Sequence, residues 1–593
     1  MRDTRRALGL LVRTAWKTDR WRSLGLLVEP LSFLRFPLFA WSLKLMADGA
    51  LQQEPRLLAA GAAGIVGTRV MAFIGMWTGS WIRNRLIEEV GFALDRELSA
   101  LSAGLPGLEH HERPDVQDRL ELLRQNQGLL GNSLSTLIYA ANTVVGAVST
   151  LVALALVSPW LLVLVPFALP ALPIAAMQGR WLGDAERRSG APARRARHLR
   201  ALSVDRDAGM ELRVFGLEEE IMARFQGAFT ESRAPVLAAT RRAAILNAAG
   251  DLFFLAGLAA AVMLVLWRAM RGQATPGDVV MTLFLAQQVR SSVVEPIQMA
   301  TPVAEVVRAA GRMVWLQDYA REKLQAYAGT RPAPARLEEG IVFENVSFRY
   351  PGTERWTLRD VSFRIPAGSV IALVGENGAG ETTLVKLLCR MYEPTEGRIL
   401  VDGVDLADIG VDAWRLRLSA AFQDFAKLEL TAQHAVGVGD LPRMDDRAAM
   451  EDALERAGAD GVFAALPSGG DTQLGGRWEG GVDLSTGQWQ RLALGRAMMR
   501  ENPLVTFFDE PTASLDALAE HALFERYAAE ARSGSARGAV TVLVSHRFST
   551  VRSADLILVF DEGRVSELGG HDELLGRDGL YAELYSMQAR SYA

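Results

Sequence analysis

Apolar residues run in long stretches through the first half of the chain and in short, alternating ones through the second. Six long stretches stand out, near Leu24–Ala47, Leu57–Ile82, Leu134–Val157, Pro159–Met177, Ala243–Leu266 and Gly277–Val303. Each approaches or exceeds the ~20 residues that a helix needs to cross ~30 Å of hydrocarbon. The first is interrupted by Glu29, Pro30, Arg35 and Pro37. The connections between stretches two and three and between four and five are long and helical in pattern. Residues 1–325 are therefore expected to form a membrane α-helical domain of six transmembrane helices with long cytoplasmic extensions. Over 326–339 hydropathy collapses into an alternating Pro/Ala tract that reads as a linker. From 340 to 593 short strand-like runs alternate with helical ones, the pattern of an α/β domain.

Charge sets the orientation. Arg2, Arg5, Arg6, Arg13 and Lys17 precede the first stretch, and Arg187, Arg188, Arg194, Arg195 and Arg197 crowd the connection between the fourth and fifth. The opposite connections carry little beyond Arg56, Arg268 and Arg271. The positive-inside rule then puts the amino terminus and the α/β half in the cytoplasm, in a multi-pass protein of the cell inner membrane. No cleavable signal sequence is expected ahead of the first stretch. With 64 Lys+Arg against 69 Asp+Glu the net charge is −5, which offers no basic face for nucleic acid. The single Cys389 excludes a disulfide framework and a four-cysteine zinc site.

Glu29, Arg35, Lys44, Arg69, Asp251, Arg290 and Glu295 fall inside or beside apolar stretches, where lipid contact is costly. They either line a polar pathway or sit at span ends and on cytoplasmic extensions, and the sequence leaves both open.

In the second half, the apolar run Val370–Val374 leads into Gly375, Glu376, Asn377, Gly378, Ala379, Gly380, Glu381, Thr382 and Thr383, with an amphipathic pattern from Thr382 onward. Strand, glycine-rich turn and helix in this order make a P-loop. The glycines let backbone N–H groups turn inward around phosphate oxygens, and the helix adds the positive end of its dipole. Thr382 stands where a hydroxyl ligand of Mg²⁺ belongs. Glu381 stands where the motif has the lysine that reaches the β- and γ-phosphates. Further on, Leu504–Glu510 is an apolar strand closing in two carboxylates. Asp509 is placed to hold Mg²⁺ and Glu510 to orient and polarise an attacking water. Leu484-Ser485-Thr486-Gly487-Gln488 lies upstream of it, and the strand-like Val542–Ser545 leads into His546.

This ordered set resembles the ATP-binding cassette (ABC) transporter family, in particular the exporter-type half-transporter with membrane and nucleotide domains on one chain. The resemblance covers essentially the whole chain. It implies an ABC-type ATPase coupled to transport, with ATP and Mg²⁺ as cofactors. The cargo would be a small molecule, peptide or lipid exported by alternating access. It also implies a second half-transporter as partner, as a homodimer or heterodimer, within a lipid bilayer. By the same resemblance Tyr350 would stack on adenine, and Gln423 would meet Mg²⁺ and sense the membrane domain. Ser485, Gly487 and Gln488 match the signature that closes over the partner chain's ATP, with Thr486 replacing the usual glycine. Ser514-Leu515-Asp516 matches the D-loop and His546 the switch histidine on the γ-phosphate. Coupling segments would fall near Glu109–Pro114 and Glu211–Gly216.

Glu381 departs from that pattern by reversing a charge where the site is most sensitive to it, so this chain's own ATP site is expected to be strongly impaired. Lys386 cannot take its place, because five residues along a helix turn it about 140° away. Two accounts fit. The chain is the silent half of a heterodimer, or a single change disables an otherwise working homodimer. The intact Thr382, Gln423, Asp509, Glu510 and His546 favour the second.

Overall fold

The computed structural model describes residues 2–26, 29, 35–125, 127–157, 163–376, 378–509, 537–545 and 547–592. The chain divides into two compact units, Met1–Ala103 with Arg119–Asp318, and Gly104–Asp118 with Tyr319–Ala593.

The first unit is helical. Pro55–Ala103 is one helix of 49 residues and Glu218–Met270 one of 53. At 1.5 Å per residue they run about 74 and 80 Å, more than twice the ~30 Å of a hydrocarbon core. The excess length forms the helical extensions that the sequence pattern anticipates. With Ser133–Ala155, these are the three helices long and apolar enough to cross a membrane among the described residues. The other three apolar stretches lie on broken helices. The first is split between Arg20–Leu26 and Arg35–Leu51, with residues 27–28 and 30–34 outside the described set. The fourth breaks at Leu169–Pro170, between Leu164–Ala168 and Ala171–Val204, and the sixth at Met299, between Pro276–Gln298 and Ala300–Ala326. Proline lies beside or just before both of the latter breaks, at Pro170 and Pro296, where it removes a backbone donor. Ala171–Val204 packs along Glu218–Met270, and Arg35–Leu51 along Pro55–Ala103. Leu154, Phe254, Leu285 and Val289 are buried together at the centre.

The second unit carries strands β1 (Gly340–Phe348), β2 (Leu358–Pro366), β3 (Val370–Gly375), β4 (Glu396–Val401), β5 (Val404–Asp405), β6 (Leu418–Ala421), β7 (Val505–Asp509), β8 (Val540–Val544), β9 (Leu556–Asp561) and β10 (Arg564–Gly569). They form an antiparallel sheet ordered β2-β1-β4-β5 and a second sheet ordered β10-β9-β3-β8-β7-β6. In the second sheet β6, β7, β8, β3 and β9 are parallel, and β10 returns antiparallel along β9. Its central strands are almost wholly apolar because both faces are covered, as in β8 where all five residues are buried; one face shares a core with the antiparallel sheet and the P-loop helix. By contrast β2 alternates buried and exposed positions, and its Phe363 stacks on Phe343 across the β1–β2 pair with centroids 4.5 Å apart.

The Pro/Ala tract that reads as a linker is docked on this unit. Tyr327 and Leu337 are buried, and Arg331 bridges to Ile409 through its backbone, donating to Asp408 O at 2.9 Å and accepting from Gly410 N at 2.9 Å.

Candidate nucleotide site and membrane cavities

The parallel strands bring the motif residues to one edge of the sheet. The register sets Leu373 beside Val544, Asp509 beside Val544 and Ala421 beside Phe508. The segments that follow β3, β6, β7 and β8 therefore emerge together at the carboxyl ends, where open α/β sheets bind ligands. These segments begin with Glu376, Phe422, Glu510 and Ser545.

After β3 the chain turns through Gly378 at φ 85° and Gly380 at φ 122°, conformations that cost a side-chain-bearing residue dearly. The turn closes with Ala379 N donating to Glu376 O at 2.9 Å, and the helix Glu381–Leu388 starts directly. Leu384, Val385, Leu387 and Leu388 bury its inner side. Glu381 is only 6% exposed, whereas Thr382 is exposed. The Glu381 side chain folds back over the strand end: a methyl group built on Gly375 would meet its Oε1 at 2.5 Å. A carboxylate thus stands inside the turn that the motif shapes for phosphate.

Tyr350 is half-buried, its hydroxyl 3.0 Å from Thr383 Oγ1 and its ring edge-on to Phe348 and Tyr392. Asp509 is buried at the end of β7, and Gln423 lies exposed just beyond β6. In the signature segment Ser485 caps the helix Thr486–Met498. Its Oγ accepts from Gln488 N at 3.3 Å, and Gln488 Oε1 accepts from Ser485 N at 2.8 Å. This reciprocal cap leaves the following N–H groups of the helix open to an anion. Thr486 takes the first helical position, where a β-branched residue fits, and it is exposed. Asn377, Glu510, Ser514-Leu515-Asp516 and His546 lie outside the described residues.

The donor set fits a Mg²⁺ nucleotide at every described position but one. The inward turn, the exposed Thr382 hydroxyl, buried Asp509 and Gln423 suit it, and Glu381 has the wrong sign. Lys386 does not compensate, because its Nζ donates to Glu112 at 2.8 Å, on another side of the helix. Periodicity could not have found that partner, which stands 274 residues away in sequence.

In the membrane unit most of the charged residues from the apolar stretches are paired or line cavities. Glu29 pairs with Arg83 and accepts from Asn142 Nδ2 at 3.3 Å. These three, with Arg35, Tyr139 and Met299, border a cavity of about 460 Å³. Asp251 pairs with Arg290, and both border a second cavity of about 290 Å³ with Gln178, Asn247 and Glu295. Lys44 pairs with Asp278 at 2.5 Å, and the Arg69 guanidinium lies 4.7 Å from the Phe39 ring. Pairing of this kind removes much of the cost of burying charge away from water.

Comparison with known proteins agrees with this architecture. The ABC transporter family profile matches residues 358–513. An ATP-dependent lipid A-core flippase of Bordetella avium is 30% identical over 567 residues, 93% of this chain and 92% of that protein. The flippase of the same description from Pseudomonas aeruginosa is 34% identical over 376 residues, 63% of this chain, and the match spans 60% of that relative's length. The one from Burkholderia orbicola is 37% identical over 342 residues, 57% of this chain, spanning 55% of the relative's length. Among solved structures, a bacterial Atm1-family ABC exporter with ATP bound superimposes with a TM-score of 0.76 at 26% identity, covering 96% of this chain and 98% of that one. The chain belongs to the ABC transporter family, as an exporter-type half-transporter with a helical membrane domain and a nucleotide-binding domain on one polypeptide.

Proposed function

We propose that this chain is one protomer of a dimeric, ATP-driven exporter that moves an amphiphile by alternating access, and that its own ATP site is impaired by Glu381. The observation that carries the reading is the buried Glu381 carboxylate folded back over Gly375, inside a P-loop turn whose other described residues suit a nucleotide. ATP with Mg²⁺ supplies the driving phosphoryl chemistry when bound. Tyr350 would take the adenine, and the backbone N–H groups at Gly378, Gly380 and the start of the helix at Glu381 would cradle the phosphates. Thr382, Asp509 and Gln423 hold the metal. Glu510 polarises the water, and His546 meets the γ-phosphate. The signature residues Ser485, Gly487 and Gln488 serve the partner's site. The amino terminus and nucleotide domain face the cytoplasm of a cell whose inner membrane holds the helices.

An amphiphile is favoured as cargo for two reasons. The relatives are described as lipid A-core flippases, and the larger cavity sets Arg35, Arg83 and Glu29 beside apolar Met299 and Pro302. A second reading draws on the intact Ser485–Gln488 cap: the chain is the catalytically silent partner of a heterodimer and lends only its signature.

Reconstitution tests the cargo assignment. Glu381→Lys protein in liposomes should change the leaflet distribution of a headgroup-labelled phospholipid on addition of Mg²⁺-ATP. Hydrolysis with no change in lipid distribution would rule out the amphiphile reading.

A further inference from the structure

Within the second unit, the four-residue helix Glu109–Glu112 is covalently continuous with Pro55–Ala103 on one side and Pro114–Gln125 on the other. Its Glu112 carboxylate receives two donors from the nucleotide-binding fold. Lys386 Nζ reaches one oxygen at 2.8 Å, and the Tyr392 hydroxyl donates to the other. Lys386 extends from the P-loop helix, three residues past Thr383, which is hydrogen-bonded to Tyr350. The same ammonium lies 5.2 Å from the Tyr350 ring centroid and 6.0 Å from that of Tyr392, and the two rings meet edge to face at 5.4 Å.

We infer that Lys386 is a positioning residue that reports nucleotide contact at Tyr350 to the Glu109–Glu112 segment, through a clasp made by Lys386, Tyr392 and Glu112. The inference rests on reading Tyr350 as the adenine platform. An ammonium shared between a carboxylate and an aromatic face divides its attraction between them. A base settling on Tyr350 displaces water from the ring and fixes its tilt, which changes the hold of the ring on Lys386 and so the hold of Lys386 on Glu112. The clasp is not what keeps the segment in place. Lys323 pairs with Glu109 at 2.7 Å, Leu108 N donates to Met391 O at 3.3 Å, and Arg415 donates to Pro106 O at 2.5 Å. Its two charged side chains are 26% and 36% exposed, so they are neither sealed in the core nor fully screened. That setting suits a contact that shifts more than one that only stabilises.

The test compares Lys386→Met, Glu112→Gln and the swap Glu112→Lys with Lys386→Glu, all in a Glu381→Lys, Cys389→Ala background. Methionine keeps the apolar stem of lysine and loses only the charge. Two quantities are read on the membrane-embedded dimer. One is the dissociation constant of a fluorescent Mg²⁺-ATP analogue. The other is the ATP concentration that half-completes a change in distance between spin labels placed at Gln52. Coupling between sites commonly spans 5–150-fold, so each single variant should raise the half-completing concentration about 10-fold while binding itself moves less than about 3-fold. The swap should restore the unmodified response. A distance change that tracks binding equally in every variant overturns the inference. So does a swap that fails to rescue while both singles merely melt lower. If the background protein binds no nucleotide with the clasp intact, the nucleotide reading fails, and the inference falls with it.

Discussion

Replacing Glu381 by glutamine and then by lysine steps the charge at the head of the P-loop helix from −1 through 0 to +1 without moving the backbone. The magnitude follows from the setting of the side chain. Two unit charges about 4 Å apart interact by about 4 kcal/mol at an effective dielectric near 20. Glu381 is 6% exposed, so bulk water does little to lower that figure. Relaxation of the loop and the charge of Mg²⁺ offset part of it, and half, about 2 kcal/mol, is a fair working value for each step. That is about 30-fold in affinity per step, or about a thousandfold from glutamate to lysine. Binding of a fluorescent ATP analogue to the purified dimer, at fixed Mg²⁺ and ionic strength, measures the series. Dissociation constants should fall from Glu to Gln and again from Gln to Lys. If glutamine binds no better than glutamate, charge is not what blocks the site. The side chain's volume over Gly375 would then be the obstacle, and the electrostatic reasoning would be refuted.

Four further outcomes follow from particular contacts. In the Glu381→Lys background, Glu510→Gln should abolish turnover and keep or tighten ATP binding, because an amide cannot polarise the water as a carboxylate does; steady-state phosphate release beside equilibrium binding separates the two. Trp414 is fully buried and its Nε1 donates to Leu388 O at 2.7 Å, at the end of the P-loop helix. Trp414→Phe strands that carbonyl and should cost about 1–3 kcal/mol, visible as a lower Tm. Burial pushes the Cys389 thiol up to about 12, so a thiol reagent at pH 8 should find no reactive cysteine in the folded protein and one after denaturation, and rapid native labelling would contradict the burial. For topology, Gln52 lies in an exposed turn and Arg187 on an exposed helical face among the arginines. In a Cys389→Ala background, Gln52→Cys should react with a membrane-impermeant reagent outside intact cells, while Arg187→Cys should wait until the membrane is opened. The reverse order would invert the orientation.

The legible parts of this protein are the local ones. The run from Val370 to Thr383 declares strand, turn and helix because the chemistry needs those residues side by side, and the structure forms β3, the turn at Gly378 and Gly380, and the helix from Glu381 where the pattern indicates. The length of the membrane helices was legible for a similar reason, since an unbroken apolar and amphipathic pattern across Pro55–Ala103 is a property of consecutive residues. Partnership across long separations was not. The sheet order β10-β9-β3-β8-β7-β6 joins strands more than a hundred residues apart, and no periodicity encodes which neighbours which. The charges in the apolar stretches illustrate the same limit. Glu29 and Asp251 look alike as isolated costs in hydrocarbon, and only the fold supplies Arg83 and Arg290 as their partners. The segment Gly104–Asp118 interrupts the membrane helices in sequence yet folds with the nucleotide unit, because its hydrogen bonds go to Met391, Lys386, Tyr392 and Arg415.

Phosphate release by the purified dimer tests most directly the proposal that Glu381 is what impairs this chain's ATP site. Unmodified protein and Glu381→Lys protein are compared in the same lipid, at saturating Mg²⁺-ATP, with folding and dimerisation verified for both. Background release is expected from the first and sustained hydrolysis from the second. A folded, dimeric Glu381→Lys protein that releases no phosphate would contradict it, and so would unmodified protein that already turns over at the rate of the variant.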